Sequence, residues 1–222
     1  IPMIAYSQSR IFVSVLILLF PALGNLVPHF SSTVLLLLFL MGLPIVFSRK
    51  KHPLTSPPER WVLWIFVVYF SVYLFVFALK GLQGDLLDPR VKYLSDHFRL
   101  TLVVPIYLLV RYLKIGQGPL WASILVGALT MGIYGLINYL WPVTELRIIG
   151  AYDAIAFGGI SLVLAVMSIP AFDYLSKKHS LYRLVVPVGC LLAFTACVLS
   201  GTRGAWLALP ALLLILFFYL GR

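Results

Sequence analysis

The sequence predicts an all-α protein, a polytopic transmembrane helical bundle with about eight spans in this chain. Of its 222 residues, 62% are hydrophobic and 11% are charged, and the mean hydropathy is +1.03. Water-soluble domains do not have this composition. Apolar runs also recur along the whole chain, and stretches such as 34–40 and 212–220 are apolar at every position. The alternating pattern of a transmembrane β-barrel is therefore excluded.

Windows of about 19 residues, matched to a hydrocarbon core of roughly 30 Å, locate the predicted helices. They lie near residues 11–28, 30–48, 61–79, 98–113, 119–141, 154–174, 184–200 and 204–220. The first is interpreted as a retained helix because Pro21 and Gly24 are not followed by a signal-peptide cleavage pattern. Residues 1–222 form one predicted domain. We interpret it as the N-terminal part of a larger membrane protein, since it opens on Ile1 and closes directly after a span.

Loop charges predict a cytoplasmic N-terminus, because cytoplasmic loops carry the excess of Lys and Arg. In that orientation the net charge is about +9 on the inner loops and +1 on the outer ones, within a total of +10. The inner cations are Arg10, Arg49, Lys50, Lys51, Arg60, Arg111, Lys114, Lys177, Lys178, Arg183 and Arg222. Basic loops beside anionic lipid headgroups explain the positive charge, so nucleic acid is not an expected partner and membrane lipids are.

The sequence contains no motif that is typical of a metal site or a cofactor site. Cys190 and Cys197 share one predicted helix and lie about 10.5 Å apart along its axis, too far to form a disulfide. CxxC and HExxH motifs, phosphate-binding glycine loops and dinucleotide fingerprints are absent from the sequence. We therefore expect no metal and no cofactor.

The most informative residues are the arginines on the predicted outer face, which the orientation rule disfavours. Arg203 lies in a tight turn between two spans, and Arg147 lies in the short link before the sixth span. Two different loops thus deliver a guanidinium to the same membrane depth. Guanidinium binds phosphate well, because it is planar, always charged and able to donate two parallel hydrogen bonds. The residues expected to support Arg203 are Ser200, Gly201, Thr202, Gly204 and Trp206.

Arg90 and Arg99 belong to a second group of outer cations. Residues 83–98 predict an interfacial helix on the outer surface, with Asp88 as N-cap and Pro89 as its first residue. Arg99 follows at the mouth of the fourth span. Pairing of these arginines with the outer acids, or simple snorkelling at helix ends, is the alternative interpretation of the whole group.

The stretch from Ser200 to Leu209, Ser-Gly-Thr-Arg-Gly-Ala-Trp-Leu-Ala-Leu, resembles the Ser-Gly-[Ser/Thr]-Arg-Gly signature of bacterial O-antigen ligases and the related O-antigen polymerases. Residues 88–109 are similar to the family's Asp–Arg stretch before a Pro-containing helix. Residues 150–159 resemble its Gly…Asn-Pro-Ile-x-Phe-Gly stretch, although Asp153 and Ala154 stand where Asn-Pro is usual.

This resemblance implies a metal-independent glycosyltransferase of the bacterial inner membrane, with its active face in the periplasm. The donor would be a glycan on undecaprenyl diphosphate, and the acceptor a sugar hydroxyl of the lipid A core. Arg203, Arg147, Arg99 and Arg90 would bind the diphosphate. The family's general base is a His in a long periplasmic loop beyond the signature, outside residues 1–222, so the catalytic residue is unknown here. His97 and His29 are weaker candidates.

Two alternatives stay open at this point. An O-antigen polymerase or a protein O-oligosaccharyltransferase of the same superfamily would share the donor-binding arginines and differ in the acceptor. An anion or lipid-linked sugar transporter is the alternative of another class. Transporters usually place charges at mid-membrane, whereas the centres of the predicted spans carry essentially none.

Overall fold

The computed structural model describes residues 3–24, 26–46, 57–82, 102–141, 150 and 153–220, and every regular element in these ranges is an α-helix. The predicted all-α class is therefore confirmed for the described residues. Eight helices follow one another within the described ranges. They are α1 (Met3–Leu23), α2 (Phe30–Val46), α3 (Pro57–Leu82), α4 (Val103–Tyr112), α5 (Gln117–Leu140), α6 (Ala154–Leu175), α7 (Tyr182–Leu199) and α8 (Arg203–Leu220).

Three of these helices, α5, α6 and α7, are long and apolar enough to cross a membrane. Shorter apolar helical segments occur within α1, α2, α3, α4 and α8 over the described residues. Apolar side chains cover much of the exposed surface: Leu207 is 83% exposed and Phe217 is 72% exposed. An apolar surface of this kind is typical of helices that face lipid.

The first helix begins and ends earlier than predicted. The sequence places it at 11–28, whereas α1 covers Met3–Leu23. Gly24 donates its N–H to the Phe20 carbonyl and ends the helix, and the chain then turns through His29, which has a φ of 63°. The prediction was too late at both ends because hydropathy windows follow apolar content rather than turn geometry. The predicted interfacial helix at 83–98 lies outside the described residues.

The chain divides into two compact units, and the first comprises residues 1–34 and 116–222. Its core is formed where α5, α6 and α7 meet, around Met131, Phe157 and Ala196, which are all fully buried. Small residues let these helices approach closely. A Cβ on Gly132 would overlap the backbone and Cβ of Leu192, and one on Gly135 would lie 3.0 Å from the Cβ of Ala196. Close packing through small residues is the usual way that apolar helices associate in membranes.

The second unit comprises residues 35–115 and contains most of α2 together with α3 and α4. Its helices are also brought together by a glycine. A Cβ on Gly42 would overlap the Pro105 carbonyl oxygen and lie 2.8 Å from its carbon. Leu108 and Leu109 of α4 are buried in this unit.

In the first unit, a group of cations lies at one end of the helices, and Arg203 lies at the other end. Lys178 follows α6, and its Nζ lies 3.3 Å from the position of a Cβ on Gly118 near the start of α5. Arg10 of α1 lines a groove with Pro119 at the same end. We call this the basic end; its cations are Arg10, Lys177, Lys178 and Arg183. The beginnings of α6 and α8 lie at the opposite end, where Thr202 contacts Ala154. We call it the arginine-203 end.

Candidate functional site

The candidate site is built on the link between α7 and α8, which consists of Ser200, Gly201 and Thr202. Gly201 has a φ of 64°, in the left-handed region that only glycine adopts readily. Its N–H donates to the Val198 carbonyl, as in a typical helix C-terminus. The short link between α7 and α8 therefore needs glycine at this position, and Arg203, the residue after Thr202, begins α8.

Two hydroxyl groups of the link point into the protein. Ser200 is fully buried and Thr202 is 5% exposed. The Thr202 hydroxyl donates to the Ala154 carbonyl at 2.6 Å. The Ser200 Oγ lies 2.7 Å from the Cys197 carbonyl and 2.9 Å from the Thr202 Oγ1, and it accepts the Thr202 N–H at 3.3 Å. These bonds satisfy the buried hydroxyls and tie the link to the first residue of α6.

Gly158 of α6 makes room for this link. A Cβ at this position would overlap the Ser200 Oγ and would lie 2.8 Å from the Thr202 Oγ1 and 2.9 Å from the Thr202 Cβ. The next residue, Gly159, is different, because a Cβ there would meet no atom within 4 Å. One glycine of the pair is therefore required for packing and the other is not.

The beginning of α6 is fixed by Asp153, its N-cap residue. The Asp153 carboxylate accepts the Ala156 N–H at 2.6 Å. Phe157, one turn into the helix, is fully buried and packs against the Tyr134 ring with centroids 5.7 Å apart. The Ala154 carbonyl that accepts the hydrogen bond from the Thr202 hydroxyl is thus held by a capped and well-packed first turn.

Arg203 is the first residue of α8, and its side chain is exposed. Within the part of the chain that the structure describes, it forms no ion pair. Two residues later, Ala205 is buried against Leu162, Val166 and Cys197, which fixes the start of the helix. The link and Ala205 therefore anchor the backbone on both sides of Arg203 while its guanidinium stays accessible.

Open space surrounds the backbone beside Arg203. A Cβ on Gly204 would meet no atom within 4 Å. The first N–H groups of an α-helix have no partner inside the helix, and the start of α8 therefore offers backbone donors next to a guanidinium. Trp206 stands one turn further on; it is 42% exposed and meets the Phe194 ring edge-on at 5.9 Å between centroids. This arrangement can bind an anionic group at the end of an apolar surface.

The structure describes Arg203 and its five supporting residues. Arg147, Arg99 and Arg90, and the histidine candidate His97, lie outside the described residues. Ser200 and Thr202 are predicted from the sequence to support Arg203. In the structure both are buried and engaged with protein atoms, so their support for Arg203 consists of holding the link in place.

Three residues of the site were not singled out by residue chemistry: Ala154, Gly158 and Asp153 in its capping role. Family resemblance had marked the stretch 150–159 as a whole, and the structure places two of its residues, Ala154 and Gly158, against the link. Among the described residues, no group of three His, Cys, Asp or Glu side chains is close enough to hold a metal ion.

Replacing Thr202 with valine tests how much the tie between α6 and the link contributes. Valine preserves the shape but removes the donor to the Ala154 carbonyl, so we expect a loss of about 1 kcal/mol in unfolding free energy. The corresponding fall in the melting temperature of the purified protein is about 2–4 °C for a chain of this size. Thr195→Val is the matched control, because the Thr195 hydroxyl bonds only within its own helix, to the Leu191 carbonyl. Equal shifts for the two variants would contradict this role for Thr202.

Comparison with known proteins shows what this chain is similar to. No protein-family model matches the sequence, and no solved structure matches it. The chain is 25% identical over 214 residues to an uncharacterized protein of Haemophilus influenzae (strain ATCC 51907 / DSM 11121 / KW20 / Rd). The match covers 93% of this chain and 50% of the relative. The chain therefore spans about half the length of the curated relative it matches.

Proposed function

We propose that this chain is part of a membrane glycosyltransferase that moves a glycan from undecaprenyl diphosphate to the lipid A core oligosaccharide, an O-antigen ligase. In this proposal the helices form about eight spans of the bacterial inner membrane. The N-terminus is cytoplasmic and the arginine-203 end faces the periplasm. The distribution of charge supports this orientation, because the basic end gathers Arg10, Lys177, Lys178 and Arg183.

The observation that carries the proposal is the contact between two separate stretches that resemble the family. Ser200–Leu209 contains the signature, and 150–159 is the second similar stretch. Thr202 donates to Ala154, 48 residues away in sequence, and Gly158 receives the link without a clash. The two stretches therefore meet at one place, and Arg203 is exposed beside them.

In the proposed reaction, the bond between the sugar anomeric carbon and the diphosphate breaks, and a bond from that carbon to an acceptor hydroxyl forms. The hydroxyl proton goes to a general base, which the resemblance implies is a His outside this chain. The leaving diphosphate gains negative charge as the bond breaks. Arg203 would stabilise this charge electrostatically, with Arg147, Arg99 and Arg90 as further diphosphate ligands, so the reaction needs no metal.

Deleting the gene in its native bacterium tests the proposal. We expect lipopolysaccharide that ends at the lipid A core, together with accumulation of the polymeric glycan on undecaprenyl diphosphate at the periplasmic face. Gel analysis of lipopolysaccharide and mass spectrometry of the lipid-linked pool measure the two products, and the intact gene should restore both. A core carrying a single repeat unit would indicate a polymerase. Loss of glycan from a protein would indicate an O-oligosaccharyltransferase, and retention of the lipid-linked glycan at the cytoplasmic face would indicate a transporter.

A further inference from the structure

A groove with a volume of about 460 Å³ runs between α1 and α5 at the basic end, far along the sequence from the candidate site. Ser7 and Arg10 line it together with Ile11, and Pro119 of α5 contributes to its lining. This volume lies within the range of about 300–1,000 Å³ that small-molecule sites occupy.

The lining of the groove divides into two stripes along α1. Ser7, Arg10 and Ser14 recur at three and four residues and form a polar stripe. The Ser14 hydroxyl donates to the Arg10 carbonyl at 2.8 Å, so it is already satisfied within the helix. Ile11, Val15 and Leu18 form the second stripe, which is apolar. The groove therefore has one charged position and an apolar wall that continues beyond it.

Arg10 is exposed, and within the described residues it forms no ion pair. The groove lining contains no carboxylate. From Arg10 to Leu18 the helix rises about 12 Å. A ligand that fits both features has an anionic group at one end, for the guanidinium, and an apolar chain at least that long, for the wall.

The charged residues around the groove favour a ligand with an anionic headgroup over one with a zwitterionic headgroup. Among the described residues at this end of the first unit, the acidic side chain next to the cations is Asp173, which pairs with Lys177 at 2.8 Å. Lys178 stacks over the Tyr174 ring at 4.7 Å from its centroid. Arg183 adds a further exposed cation. The potential at this end is therefore positive, and basic segments of this kind attract anionic headgroups at membrane surfaces.

We propose that this groove binds an anionic phospholipid, with the headgroup phosphate at Arg10 and an acyl chain along Ile11, Val15 and Leu18. Phosphate is the natural partner of an exposed guanidinium. The apolar wall selects a lipid over a soluble phosphate, because inorganic phosphate leaves that wall uncovered. This proposal is independent of the glycosyltransferase activity, since it uses no residue of the arginine-203 end.

Native mass spectrometry of the purified chain in detergent, titrated with dioleoyl phosphatidylglycerol, tests the proposal. We expect the chain to retain phosphatidylglycerol in preference to phosphatidylcholine with the same acyl chains. Arg10→Gln should weaken phosphatidylglycerol binding about fivefold, the amount expected for one cation near a headgroup. Val15→Trp keeps the charge and fills the groove, so it should weaken binding of phosphatidylglycerol as well.

Arg183→Gln is the matched control, because it removes one exposed cation from the same end without touching the groove. It should weaken phosphatidylglycerol binding clearly less than Arg10→Gln does, because Arg183 contributes to the positive potential but does not line the groove. An equal loss of binding in Arg183→Gln and Arg10→Gln would overturn the site, because it would show only a diffuse positive field. The proposal would also be overturned if the chain retained phosphatidylcholine as well as it retained phosphatidylglycerol. The same holds if the chain formed a dimer that excluded both lipids.

Discussion

Replacing Arg203 with alanine is expected to reduce O-antigen on lipopolysaccharide to traces in cells whose only copy of the gene carries the change. Arg203 is exposed at the first position of α8 and, within the described residues, forms no ion pair with a carboxylate. Removing one preorganised donor to a developing anion typically costs about 10²–10³ in rate. Lipopolysaccharide gels and single-turnover transfer in membranes measure the loss.

The conservative replacement Arg203→Lys separates charge from geometry. Lysine keeps the positive charge but donates as a point charge, without the planar fork that matches two phosphate oxygens. We therefore expect the rate of glycan transfer by Arg203→Lys to lie between the rates of the unaltered protein and of Arg203→Ala. Replacing an arginine that has only a structural role would not produce this ranking of the transfer rates.

Arg183→Ala is the matched control for Arg203→Ala. Arg183 is also an exposed arginine in the first turn of a helix, but it lies at the basic end of the same unit. It should transfer glycan normally. Both variants must reach the membrane in equal amounts, as measured on immunoblots. Normal O-antigen in Arg203→Ala cells at equal protein levels would contradict the role proposed for Arg203.

Much of the fold was predictable because apolar runs have few structural solutions in a membrane. Every described element is helical, and α5, α6 and α7 have the length and composition that the sequence predicted for spans. The ends of the helices were less predictable. α1 stops at Leu23 because of a turn after Gly24, although apolar residues continue beyond it.

Part of the candidate site was also predictable. The tight turn before Arg203 follows from local sequence, since Ser200-Gly201-Thr202 provides one glycine for a left-handed position and then begins a helix. The inward direction of the two hydroxyls was not predictable. It depends on the Ala154 carbonyl and the space at Gly158, which reach the link only through the packing of α6 against α7 and α8.

The packing of α6 against α7 and α8 also shows what the small residues contribute. Helices in an apolar medium gain no hydrophobic driving force from meeting one another, so close van der Waals contact and buried hydrogen bonds hold them together. At the arginine-203 end both occur in one place: Gly158 allows close approach, and Thr202 donates across the interface. The exposed position of Arg203 thus depends on residues that are themselves buried.

Gly158→Ala and Gly159→Ala are therefore expected to change stability in opposite directions. In a helix interior, Gly→Ala is intrinsically favourable by about 1 kcal/mol. At Gly159 the new methyl group meets no atom within 4 Å, so that gain should persist. At Gly158 it overlaps the Ser200 Oγ and lies 2.9 Å from the Thr202 Cβ. Overpacking of this kind costs about 1–3 kcal/mol, and with three close contacts we expect the cost to exceed the gain.

Thermal unfolding of the purified variants measures this difference in stability. The rate at which Cys197 is labelled reports whether the link between α7 and α8 has moved. Cys197 is 1% exposed, and its carbonyl lies 2.7 Å from the Ser200 Oγ, so movement of the link should uncover it. We expect faster maleimide labelling of Cys197 in Gly158→Ala than in Gly159→Ala, with Cys190 distinguished by peptide mapping. Shifts of the same sign and unchanged labelling in both variants would show that the link does not rest on Gly158. A displaced link would also move Arg203, so loss of glycan transfer should follow the labelling of Cys197 from variant to variant.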